Sequence, residues 1–145
     1  QQVSSAASDV YKRQGQKVSL AELENIHRNK TGALMKCAIR LGALAAGQKG
    51  SEILPQLDQF ADAIGLAFQV QDDILDIISD TETLGKPQGS DQDLDKSTYP
   101  ALLGLEGAIN KAHTLLTEAL QALEAIPYNT ELLEEFARYV IERKN

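Results

Sequence analysis

Cysteine occurs once in 145 residues, at Cys37, tryptophan not at all, and aromatic side chains make up only 5% of the chain. A lone thiol excludes an internal disulfide, so the fold must stand on its core alone, and a reducing, cytoplasmic setting is the expectation. There is no charged-then-apolar leader, and no apolar run approaches the roughly 20 residues that span a bilayer, so stable membrane insertion is not expected. Positive charge is also scarce: 14 Lys and Arg stand against 21 Asp and Glu, a formal charge of −7. Nucleic acid and anionic membranes recruit basic patches, so neither is expected as a partner. Internal repeats, a Gly-rich phosphate loop and zinc-ligand spacing are missing too. So is any arrangement of Ser, Cys and His suited to covalent catalysis.

With 43% hydrophobic residues and only four prolines, the composition suits Ala- and Leu-rich helices better than β-branched strands, and the length suits one domain with one core. The expected fold class is all-α. Its organising stretch runs from Gly65 to Asp76, GLAFQVQDDILD. On a wheel of roughly 100° per residue, Phe60, Ala61, Ile64, Phe68, Leu75 and Ile78 form one apolar face with Leu57, and Leu66, Val70, Ile74 and Ile77 form a second. Such a helix is packed on most sides. The polar arc left over is narrow and holds Gln69, Asp72, Asp73 and Asp76, with Asp62 and Gly65 upstream on the same side. Asp72 and Asp76, at i and i+4, repel by roughly 0.2–0.5 kcal/mol even when exposed, and a helix C-terminus adds negative partial charge. Carboxylates held there need cations. A DDxxD cluster offers the hard oxygen ligands that Mg²⁺ takes while keeping several of its waters; the alternative is a solvated acidic face. An anionic substrate could be held by so acidic a chain only through bridging metal or locally placed lysines.

Gln1 to Gln14 carries no apolar period and is expected to be a non-native or disordered leader, with the folded domain over residues 15–145. Ser19 with Glu22 reads as a capping box opening a helix whose stripe is Leu20, Leu23, His27, Leu34, Cys37, Leu41 and Leu44. Lys30 interrupts that stripe, and Thr31 and Gly32 follow; Gly weakens a helix interior by about 1 kcal/mol relative to Ala. A break or kink at this KTG would let Lys30 and the Thr31 hydroxyl reach a phosphate, the alternative being a surface lysine at a helix joint. His27 reads as a packed, hydrogen-bonded histidine. Gly47 to Gly50 reads as a turn, and Ser51 or Glu52 opens the central helix with Pro55 in its first turn. From Ser79 to Lys96 the pattern stops, and the length of that stretch favours a functional lid; Lys86 and Lys96 are its cations. Ser97 or Thr98 caps the next helix, with Pro100 in its first turn and Leu102, Leu105, Ile109, Ala112, Leu116, Ala119, Leu123 and Ile126 on its stripe. Pro127 ends it. Asn129 or Thr130 caps a last helix with Leu132, Leu133, Phe136, Tyr139 and Val140 on its apolar face.

GLAFQVQDDILD, with KTG upstream and GKPQGSD and DKSTYP downstream, resembles the second half of a trans-polyprenyl diphosphate synthase, the bacterial farnesyl diphosphate synthases above all, with the motifs in that family's order from about Gly15 to Asn145. DDILD would be the family's second aspartate-rich motif. The resemblance implies a helical bundle of the isoprenoid-synthase type, prenyl diphosphates as small-molecule substrates, and Mg²⁺ held by Asp72, Asp76 and more weakly Asp73. It implies that Lys30 and Thr31 touch the diphosphate of an allylic substrate and that Lys86 and Lys96 close over it, the three lysines acting catalytically by neutralising the departing diphosphate. Asp91 would reach a metal through water, while Phe68 and Gln69 would face the carbocation and the start of the prenyl chain. Arg143 and Lys144 are weaker candidates for phosphate contacts. A homodimer is implied for the full-length protein.

The implied reaction is metal-assisted ionisation of dimethylallyl or geranyl diphosphate and attack by the double bond of isopentenyl diphosphate, giving farnesyl diphosphate. A geranylgeranyl or longer product, or a non-catalytic helical subunit partnering a synthase, are the alternatives; a terpene cyclase fits the motif order less well. The family's first aspartate-rich motif and isopentenyl diphosphate site would lie upstream of residue 1, so a fragment, inactive alone, is expected. The Leu66, Val70, Ile74 and Ile77 side of the central helix is expected to be left uncovered, so that residues 15–145 alone would associate or turn molten.

Overall fold

The computed structural model describes residues 18–84 and 97–143, the side chains of 79–84 excepted. The expected leader over residues 1–14 lies outside the described residues, and so do Lys86, Asp91, Lys96 and Lys144. The described elements are all helical, as expected: α1 (Leu20–His27), a π-turn (Arg28–Gly32), α2 (Ala33–Ala45), α3 (Gln48–Glu52), α4 (Leu54–Leu84), α5 (Tyr99–Glu124) and α6 (Glu131–Glu142).

α1 opens on its capping box, Ser19 Oγ accepting the Glu22 N–H at 3.3 Å and Glu22 Oε2 accepting the Ser19 N–H at 2.9 Å. No break follows at KTG. The chain widens into the π-turn instead and runs straight on into α2. A π-turn holds one residue more than α geometry, which swings everything after it round by roughly 100°. The single expected stripe is therefore split. Leu23 is buried, but Leu34, Leu41 and Leu44 are 72%, 63% and 52% exposed, and Met35, Ile39 and Ala43 turn inward in their place. Cys37 is likewise exposed.

The expected turn after Gly47 is helical as α3, entered through Gly47 at φ 71°. α4 starts at Leu54 with Pro55 in its first turn and does not stop at Ser79 but continues to Leu84. No Gly or Pro stands between Ser79 and Gly85, so the backbone ladder propagates past the end of the apolar pattern. Phe60, Ala61, Ile64, Leu66, Ala67 and Val70 are 0–1% exposed, which places α4 at the centre.

The side of α4 expected to be uncovered is closed. Leu66, Val70 and Ile74 share one core with Ala108, Ala112, Leu115 and Ala119 of α5, whose alanines let the two helices approach closely. Each buried Leu, Val or Ile contributes about 1.5–3 kcal/mol relative to exposure, so that face supplies no reason for a molten state. The stripe on α5 also departs from expectation: Gly104 (φ 74°, ψ 161°) kinks the helix and rotates what precedes it, leaving Leu102 outside, while beyond the kink the buried face runs through Ala108, Ala112, Leu115 and Ala119 and leaves Ile109 outside. On α6 the small Ala137 seats the helix on the core with Val140 and Ile141, and Leu132, Phe136 and Tyr139 point out instead of in. Thr98 caps α5, accepting the Ala101 N–H. At α6 the Asn129 side-chain Oδ1 accepts the Glu131 N–H, while the Thr130 hydroxyl donates to Glu134.

Candidate functional site

Two glycines set the site. A Cβ on Gly65 would stand 3.0 Å from the Cα of Gly32, so the π-turn lies directly on α4 one turn before the acidic arc. Ion pairs fix that crossing from the far side, Lys36 to Asp62 at 2.7 Å and Arg40 to Asp58 at 3.1 Å. Lys30 is thereby presented on the surface of the π-turn and Thr31 half-buried beside it.

His27 sits at the joint, its ring stacked on Tyr99 with centroids 5.7 Å apart. Neither ring nitrogen has a hydrogen-bond partner among the described residues, and Gln69 lies beside the ring without a hydrogen bond of ordinary geometry. His27 is thus packed as expected but not hydrogen-bonded as expected. Burial lowers its pKa below 6.5, and Lys30 acts in the same direction, while Asp73, Gln69 and Asp72 oppose. The ring therefore senses both the lysine of the π-turn and the carboxylates of α4. Tyr99 is fully buried with its hydroxyl unpartnered among the described residues, and burial followed by the charges of Glu24 and Asp73 pushes that hydroxyl far above its ordinary value.

The three carboxylates of DDILD have three different surroundings. Asp72 is half-exposed, accepts a hydrogen bond from Gln69 Nε2 at 3.3 Å, and is paired with the Arg143 guanidinium. Asp73 is turned inward and accepts the Tyr99 backbone N–H at 2.9 Å, at the positive end of α5. Burial raises its pKa, the Tyr99 N–H and His27 lower it, and Asp76 and Asp72 raise it. Asp76 is exposed one turn on. Among the described residues no three His, Cys, Asp or Glu side chains converge, because Asp73 is committed to α5. Mg²⁺ does not require such a cage, since one or two carboxylates with waters and phosphate oxygens suffice. The donor chemistry of Asp72 and Asp76 fits that cation, and Asp72 already draws a positive charge.

Phe68 is half-buried with the Arg143 guanidinium 4.2 Å from its ring centroid, and its carbonyl accepts from Arg143 Nη2 at 3.4 Å. Gln71 is buried and donates to the Arg143 carbonyl at 3.4 Å. Arg143, which the resemblance offered only as a weaker candidate for a phosphate contact, is paired with Asp72 instead. Gln71 and Tyr99 stand inside GLAFQVQDDILD and DKSTYP but had no role assigned from the sequence, since both act through contacts made across the fold. Lys86 and Lys96, expected to close over a diphosphate, lie outside the described residues. No helix among the described residues is long and apolar enough to cross a membrane.

The polyprenyl synthetase family matches over residues 2–120. The chain is 58% identical over 133 residues to the farnesyl diphosphate synthase of Escherichia coli, covering 90% of this chain and 44% of that enzyme. It is 54% identical over 129 residues to the farnesyl diphosphate synthase of Haemophilus influenzae, covering 88% and 43%. Its fold is similar to a Helicobacter pylori geranyltransferase crystallised with magnesium and isoprenyl diphosphate, with a TM-score of 0.70, 36% identity, and coverage of 93% of this chain and 44% of that one. The chain spans less than half the length of these relatives.

Proposed function

The chain belongs to the polyprenyl synthetase family, and on that premise we propose that it is the C-terminal half of a prenyl transferase that condenses an allylic diphosphate with isopentenyl diphosphate to give farnesyl diphosphate. The observation that carries this is the pair Asp72 and Asp76 on the polar arc of a helix that is otherwise buried. Two like charges held one turn apart in such a place serve a cation. The identities to two bacterial farnesyl diphosphate synthases favour the C15 product, and the fold shared with a magnesium-bound geranyltransferase supports the choice of metal.

In this reading Asp72 and Asp76 hold Mg²⁺, and Asp73, already accepting the Tyr99 N–H, contributes less. When bound, the metal would act as a Lewis acid that neutralises the diphosphate as the allylic C–O bond breaks. Lys30 brings a fixed positive charge from the π-turn, and the Thr31 hydroxyl is a hydrogen-bond donor for a phosphate oxygen. Lys86 and Lys96 add two further cations, so that charge stabilisation of the leaving group is shared between the metal and three lysines. Phe68 has a ring face suited to positive charge, since a guanidinium already rests on it, and with Gln69 it faces the nascent carbocation. The buried faces of α4 keep water from that region. Asp91 would add a metal contact through water.

The remaining parts of the reading are a homodimer of the longer protein, to which the exposed Leu34, Leu41 and Leu44 offer apolar surface, and a cytoplasmic setting in keeping with a single cysteine. The test is product analysis: the longer protein containing this chain, given Mg²⁺, geranyl diphosphate and labelled isopentenyl diphosphate, is expected to release labelled farnesyl diphosphate. Cyclic or hydrolysed products without incorporation of label would overturn the proposal.

A further inference from the structure

We infer that Arg143 is a built-in counter-ion for Asp72, one that occupies the carboxylate in the metal-free protein and has to leave it when the metal arrives. This rests on the reading of Asp72 as a metal ligand. The Arg143 guanidinium pairs with Asp72 Oδ1, donates to the Phe68 carbonyl at 3.4 Å and lies 4.2 Å over the Phe68 ring. Its side chain is 14% exposed, against 40% for Asp72. The contact is thus set into the wall of the site, not left on a surface tether.

The placement follows from the fold. α6 is anchored by Ala137, Val140 and Ile141, and Arg143 is the residue at which the helix ends, its backbone extended at φ −59° and ψ 142°. Gln71, buried on α4 next to Asp72, grips the Arg143 carbonyl at 3.4 Å. Rotation of one side chain is therefore enough to free Asp72 while α6 stays seated. The grip is also incomplete. Arg143 Nε is buried without a partner among the described residues, so the guanidinium does not form the two-pronged pair that makes arginine and carboxylate hard to separate.

Charge balance explains why a cation is wanted there. Asp76 stands one turn from Asp72 and has no ion-pair partner among the described residues, and Lys36, Arg40 and Lys111 are taken by Asp62, Asp58 and Glu24. Arg143 is the cation that offsets the arc until a metal does. Metal and guanidinium then compete for the same carboxylate, and by linkage each weakens the other.

Mn²⁺ binding followed by electron paramagnetic resonance, with the longer protein and no substrate, tests this directly. Arg143→Gln is expected to bind Mn²⁺ about fivefold more tightly than wild type, the worth of a half-exposed ion pair. Arg143→Lys, which keeps the charge and loses the planar group, is expected to fall between the two. A merely structural Arg143 would give unchanged or weaker binding in both variants, and that result overturns the inference. Asp72→Asn separates the two layers of the argument. If it leaves Mn²⁺ binding intact, Asp72 is no ligand and the inference falls with that assignment; if it weakens binding while Arg143→Gln does not strengthen it, only the counter-ion role is lost.

Discussion

Gly65 on α4 faces Gly32 in the π-turn so closely that a Cβ on Gly65 would stand 3.0 Å from the Gly32 Cα. Backbone lies on both sides of that contact, so a larger side chain has nowhere to go without parting the helices. Gly65→Val is expected to cost about 1–3 kcal/mol, as overpacking does, and to push Lys30 and Thr31 away from the acidic arc. Thermal unfolding should register the first effect. A rise in KM for the allylic diphosphate, larger than any rise for isopentenyl diphosphate, should register the second. Unchanged KM for both would mean that the close approach does not position the π-turn.

Asp73 and Asp72 are neighbours with opposite duties, and substitution should separate them. Asp73→Ala removes the acceptor of the Tyr99 N–H at the start of α5, a loss comparable to that of a helix cap, about 1 kcal/mol. Asp73→Asn keeps an acceptor oxygen and should recover most of that stability. Chemical denaturation of both variants checks the order. If Asp73→Asn is no more stable than Asp73→Ala, the hydrogen bond to Tyr99 contributes nothing.

Acid should expose His27. Its pKa is lowered in the folded state, chiefly by burial, so on acidification the unfolded chain takes up the proton first. Stability therefore falls as the pH drops from about 6.5 towards the lowered value. Asp73 works in the other direction, because its raised pKa lets the folded state take up a proton first, and the cost of keeping it charged is relieved as the pH falls towards the ordinary carboxylate range. His27→Phe keeps a ring against Tyr99 and has no proton to gain. The loss of melting temperature between pH 7.5 and 5.5 should be smaller in His27→Phe than in wild type, and an equal loss in both would place the acid sensitivity elsewhere.

What could be read from the sequence was whatever depends on local pattern. The run from Phe60 to Ile74 announced a buried helix, the carboxylates of DDILD stood out because they interrupt it, and Ser19 with Glu22 announced a helix start. The failures share a cause. A π-turn at Arg28–Gly32 and a kink at Gly104 each shift the phase of a helix, so Leu34, Leu41 and Leu102, assigned inward by an unbroken period, point out. Periodicity also cannot say which of two apolar faces has a neighbour, which is why the Leu66 and Val70 side was expected to be bare when α5 covers it. The pairing of Arg143 with Asp72, 71 residues apart, lies beyond any local signal.

The decisive measurement is turnover of Asp72→Asn and Asp76→Asn in the longer protein at saturating Mg²⁺, with circular dichroism on the same samples. Both substitutions keep size and helix and remove a charge proposed to hold the metal, Asp72→Asn removing the ion-pair partner of Arg143 as well. A fall in kcat of about 100-fold or more, some 2.7 kcal/mol of lost transition-state stabilisation, with helicity unchanged, is the predicted result. Turnover within about twofold of wild type in both variants would contradict the assignment of a metal site to DDILD.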